Sequence, residues 1–90
     1  MVVARRYLIN GRVQGVGFRY FAEDVASIEG LAGFARNLPD GRVETVVEGD
    51  VEAVTRFEMA IQQGPRSARV ESVETENLAP TGRFAGFSIG

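Results

Sequence analysis

Two stretches of the chain carry residue types able to do chemistry. The first is Gln14-Gly15-Val16-Gly17-Phe18-Arg19, where two glycines stand one residue apart just ahead of an arginine. Glycines lack the Cβ atoms that keep an anion off the backbone. A loop entering a helix presents several unpaired N–H groups, and the helix dipole adds partial positive charge at the same point. Together these make a receptor for a phosphate-sized anion. Arg19 falls in the first helical turn, where a cation opposes the dipole. A local rule broken in this way hints at function, and a guanidinium there can grip two phosphate oxygens in a fork. The second stretch holds Asn37, whose amide combines donor and acceptor and so can hold a water. Each feature also has a plain reading. Gly-x-Gly can be only a turn, Arg19 only a surface charge, and Asn37 only a turn residue.

The elements around these residues follow from periodicity. Residues 4–13 alternate, with Tyr7, Ile9 and Val13 on one face and Arg6, Asn10 and Arg12 on the other, which predicts a first strand. From about Arg19 the period changes to that of a helix, with Phe18, Phe21, Val25 and Ile28 as its inner stripe and Gly30 as its stop. A second strand is expected over 32–38 and a third over 42–48, joined at Pro39-Asp40-Gly41 as a hairpin. Asp50 is a good N-cap for a second helix, with Glu52 in its first turn. Val51, Val54, Phe57 or Glu58, and Ile61 are its inner face, and Gly64-Pro65 ends it. Residues 69–77 form a fourth strand, and 84–89 a short fifth one.

The order β-α-β-β-α-β predicts a ferredoxin-like α/β sandwich, an antiparallel sheet with two helices on one face. The first helix is a crossover, so the strands flanking it run parallel and end at the same edge. That edge brings the 14–19 loop and Asn37 together, although 18 positions separate Arg19 from Asn37. Open sheets tend to bind ligands beyond such strand ends.

Composition narrows the chemistry. The 90 residues suit one domain, residues 1–90. There is no Cys and no His, and all ten basic residues are Arg. Thiolate or imidazole catalysis, sulfur- or nitrogen-ligated metal and Schiff-base chemistry are therefore excluded. Arg, carboxylates, amides, hydroxyls and backbone groups are what is left, a set suited to holding an anion and orienting a water. Net charge is −2, which announces no nucleic-acid surface. Gly15 to Phe21 partly matches an RNA-recognition signature, but that signature belongs on a strand, and here it opens a helix. The remaining carboxylates read as structural. Glu23 and Asp24 diverge on the first helix, Glu44 and Glu48 share an outer strand face, and Glu71, Glu74 and Glu76 line a solvated strand. No apolar run spans a bilayer and no export segment follows Arg5-Arg6, so the expected compartment is the cytoplasm.

Residues 11–19, Gly-Arg-Val-Gln-Gly-Val-Gly-Phe-Arg, closely resemble the first acylphosphatase signature, and residues 33–43 resemble the second. Gln63-Gly64-Pro65, Ala68-Arg69-Val70 and Gly86-Phe87-Ser88-Ile89 are similar to the same family's C-terminal half, so the resemblance runs the length of the chain. It implies hydrolysis of acyl phosphates to a carboxylate and inorganic phosphate, with no cofactor and no metal. It implies that residues 14–18 cradle the phosphate, that Arg19 binds it, and that Asn37 holds the attacking water. A phosphate or sulfate-like anion is expected to fit the same loop. Phe34 stands where the family often has Trp, a packing change. The implied partner is a small acyl phosphate, with no nucleic acid or membrane, and a monomer is the default. Two alternatives stay open: a non-catalytic module sensing a phosphorylated ligand, and a carbamoyl-phosphate-handling domain of the kind that opens larger hydrogenase-maturation proteins. The absence of a Cys-rich zinc region favours the free-standing enzyme.

Overall fold

The computed structural model describes residues 1–90. In chain order the elements are β1 (Val2–Arg12), α1 (Phe18–Glu29), β2 (Ala32–Asn37), β3 (Val43–Asp50), α2 (Val51–Gln63), β4 (Arg69–Leu78) and β5 (Phe87–Ile89). The strands form one sheet in the order β4-β1-β3-β2-β5. This is the expected sandwich with the expected fifth strand. No helix is long and apolar enough to cross a membrane.

β3 lies between β1 and β2 and pairs antiparallel with both, so β1 and β2 run parallel as the crossover requires. One feature departs from expectation. β5 pairs parallel with β2, Gly33 opposite Phe87, so the sheet is mixed. β5 is also shorter than 84–89; Phe84 lies outside the strand, its ring centroid 6.0 Å from that of Phe34.

Strand alternation sorts β3 into two faces. Val43, Thr45 and Val47 are fully buried on the helix side, beside Tyr7 and Ile9 of β1. Glu44, Val46 and Glu48 occupy the other face. Both carboxylates are on the expected outer face, but buried there. Glu44 accepts from Nε of both Arg6 and Arg36. Burial alone raises its pKa, but these two arginines, through hydrogen bonds and charge, outweigh that and hold it below the glutamate range. Glu48 accepts from the backbone N–H of Thr81 and of Gly82 and from the Thr81 hydroxyl, which also lowers its pKa. The chain after β4 thus covers part of the helix-free face. Glu71, Glu74 and Glu76 are exposed, as expected.

The α1 stripe also needs correction. Phe18, Ala22 and Ala26 are its buried residues, while Ile28 is 83% exposed. Ile28 stands ten residues beyond Phe18, about 80° round the helix and on the side away from the two alanines. Small residues at 22 and 26 let the helix approach the sheet closely, so the packed line runs through them. Phe21 and Val25 flank it, half-buried. In α2, Ala53, Val54, Phe57 and Ile61 are buried, and Glu58 instead accepts a 3.0 Å hydrogen bond from the Tyr7 hydroxyl. Gly30 and Gly64 follow the two helices at the expected places.

Candidate active site

The turn from β1 into α1 is built by two residues in left-handed backbone conformation, Gly15 at φ 73° and Gly17 at φ 79°. A side chain would be strained at either position. A Cβ placed on them would nevertheless meet nothing within 4 Å, so the loop faces open space. Gly17 precedes α1 without any side-chain cap, and no acidic residue lies in the first turn. The first helical hydrogen bond runs from Phe21 N–H to the Gly17 carbonyl, and the N–H groups of Gly15 to Tyr20 donate none within the chain. They lie at the positive end of the α1 dipole, beside that space.

A cavity of about 230 Å³ lies at this point, lined by Val13, Gly15, Gly17, Phe18, Arg19, Tyr20 and Asn37. Arg19 and Asn37 thus meet across it, as the crossover argument requires. The Arg19 guanidinium donates through Nη1 to the main-chain oxygen of Gly90 at 2.6 Å. Gly90 is itself tied to β2 by its N–H, 2.9 Å from the Ala35 carbonyl oxygen. No carboxylate side chain pairs with Arg19; its one bond within the chain is the Nη1 contact to Gly90. Asn37, the last residue of β2, is exposed, and its side-chain amide makes no hydrogen bond within the chain.

Gln14 and Val16 belong to the loop but do not line the cavity. The Gln14 side-chain amide donates to the carbonyl of Leu38 at 2.8 Å and to that of Arg42 at 2.9 Å. Both of its N–H groups are thereby committed, and they fasten the loop to the base of the β2–β3 hairpin, one residue past Asn37. On the other side, the Ser67 hydroxyl donates to the Val16 carbonyl at 2.6 Å. The loop is held from two directions. Sequence reasoning passed over Ser67 and Tyr20. The Ser67 contact leaves no local signal, since its partner is a main-chain carbonyl 51 residues away. Tyr20 had one: it follows Arg19 on a helix whose buried line runs elsewhere.

A larger hollow, about 400 Å³, lies between the end of α1 and β5. Glu23 and Asp24 line it and no cation does, so it suits a phosphate poorly. No cluster of acidic residues is arranged to hold a metal ion. The smaller cavity can take an anion on backbone N–H groups and one guanidinium, with an amide beside it to orient a water.

A family model described as Acylphosphatase matches residues 5–89. An acylphosphatase of Thermus thermophilus is 58% identical over 69 residues, 77% of this chain and 78% of the relative. One from Roseiflexus is 48% identical over 90 residues, 99% of this chain and 97% of the relative. The crystal structure of acylphosphatase from Bacillus subtilis superposes with a TM-score of 0.93 at 37% identity, covering 100% of this chain and 99% of that one.

Proposed function

The chain belongs to the acylphosphatase family, enzymes that hydrolyse acyl phosphates, and from that membership we propose how its residues divide the work. The N–H groups of Gly15 to Arg19 and the Arg19 guanidinium hold the non-bridging oxygens of the substrate phosphate. Asn37 holds a water on the side opposite the bridging oxygen. The water oxygen bonds to phosphorus as the bond from phosphorus to the acyl oxygen breaks. The acyl group leaves as a carboxylate, and the water's proton passes to a phosphate oxygen. The products are a carboxylate and inorganic phosphate.

A carboxylate is a stable leaving group, so the step needs no strong general acid. This fits a chain without His or Cys. Positioning and fixed dipoles carry the catalysis. The dipoles are already oriented, because Gln14 and Ser67 hold the loop in shape. The observation that carries the reading is one cavity lined by Arg19, Asn37 and a loop of unpaired N–H groups.

The test is phosphate release from benzoyl phosphate, with EDTA present, by wild type, Arg19→Ala and Arg19→Lys. Turnover indifferent to EDTA, lost in Arg19→Ala and strongly reduced in Arg19→Lys, is the expected result. Arg19→Lys activity within about twofold of wild type removes the forked grip, since lysine presents a point charge.

A further inference from the structure

The cavity of about 230 Å³ falls below the roughly 300–1,000 Å³ of pockets that enclose a drug-sized ligand. A phosphate at the loop takes up part of such a recess, and the acyl group it carries extends from the loop toward the mouth. Most of the lining offers that group nothing to pack on. Val13 and Phe18 are 1% exposed and locked in the core, the glycines have no side chain, and Arg19 and Asn37 are polar.

Tyr20 is the exception. It lines the cavity, follows Arg19 directly in the first turn of α1, and is 63% exposed. Its ring enters none of the aromatic pairs of the molecule, which join Tyr7 with Phe57, Phe18 with Phe21, Phe34 with Phe84, and Phe57 with Phe87. Its hydroxyl has no hydrogen-bond partner within the chain, unlike that of Tyr7, which reaches Glu58. A large flat surface is left in water beside the mouth of the site. An aromatic ring with one wet, polar end suits contact with a bound group.

We propose that Tyr20 selects the acyl group: its ring packs against a planar, apolar acyl moiety while the loop holds the phosphate, favouring aromatic acyl phosphates over acetyl or carbamoyl phosphate. The inference rests on the phosphate-site reading above. An edge or offset-stacked aromatic pair contributes about 0.5–1.5 kcal/mol beyond simple burial, which corresponds to about a two- to twelvefold preference.

The experiment measures kcat/KM for benzoyl phosphate and for acetyl phosphate on wild type, Tyr20→Ala, Tyr20→Phe and Arg19→Ala. Tyr20→Ala is expected to lower the benzoyl-to-acetyl ratio about three- to tenfold, mainly by raising KM for benzoyl phosphate, while acetyl phosphate hydrolysis stays near wild type. Tyr20→Phe is expected to keep the wild-type ratio, since the ring and not the hydroxyl makes the contact. An unchanged ratio in Tyr20→Ala overturns the inference and leaves the phosphate site standing. Equal loss on both substrates overturns it too, because Tyr20 then acts on the shared phosphate. Full acetyl phosphate turnover in Arg19→Ala overturns the phosphate-site reading itself, and the inference with it.

Discussion

The two helices begin in opposite ways. At α2, the Asp50 side chain accepts from the Glu52 N–H at 3.2 Å, and Glu52 adds a second negative charge to the first turn. That helix supplies its own anions. At α1, Gly17 offers no capping side chain, the first turn has no acid, and Arg19 stands there instead. Both helices cover the same sheet and are similar in length, 12 and 13 residues. One entrance is finished by the chain; the other, in the function proposed above, is finished by the substrate phosphate.

Giving α1 an anion of its own is the strongest way to break this contrast. Arg19→Glu is expected to abolish benzoyl phosphate hydrolysis, a loss of at least about a thousandfold, beyond that of one lost charge-stabilising donor. The helix itself should gain a few tenths of a kcal/mol from the same change. Thermal unfolding with and without inorganic phosphate reads both effects: phosphate raises the Tm of wild type and leaves that of the variant unmoved. A variant whose Tm still climbs with phosphate places the anion elsewhere.

Asn37→Ala sharpens the division of labour within the site. We expect kcat to fall about ten- to a hundredfold while the affinity for inorganic phosphate, measured by calorimetry, stays within about twofold. A loss of phosphate binding with kcat retained makes Asn37 part of the anion grip.

At the other entrance, Asp50→Ala should cost about 1 kcal/mol in denaturant unfolding, the ordinary value of a lost N-cap, and leave kcat/KM unchanged. A kinetic effect there would erase the distinction between the two entrances.

The smallest expected effect concerns Glu44, another carboxylate satisfied by the chain's own groups. Its pKa is lowered in the fold, so its ionised form contributes stability above the ordinary glutamate value of about 4.3. That contribution is lost as the pH falls through its lowered value. Glu44→Gln should therefore unfold with a shallower acid limb than wild type below about pH 4.3, with no change in pH dependence near neutrality.

Much of this was legible because the signals are local. Glycines at 15 and 17 sit where a period of two gives way to a helical period, and that switch marks a strand-to-helix loop by itself. The meeting of Arg19 with Asn37 followed from the handedness and direction of a crossover, which topology imposes whatever the side chains. What was not legible depended on partners far along the chain. Alternation put Glu44 and Glu48 on the outer face correctly. Their cover comes from Arg6 and Arg36 and from Thr81 and Gly82, which periodicity cannot see. Ile28 was misplaced because a bulky stripe drew attention from the two alanines beside it, which make the close approach. The parallel pairing of β5 rests on three residues, too few for a pattern.

The Gln14 amide joins positions 24 and 28 residues ahead of it, across the first helix and into the hairpin. A contact of that span forms only after β1, β2 and β3 have found their places, since the intervening chain must first be closed into a loop. The cradle therefore has no finished form in a chain whose helices are made but whose sheet is not. In a refolding experiment, helix content can return early, whereas hydrolysis waits for the hairpin to dock. Enzymatic turnover is then a clock for the docking of that hairpin, read without any spectroscopic label.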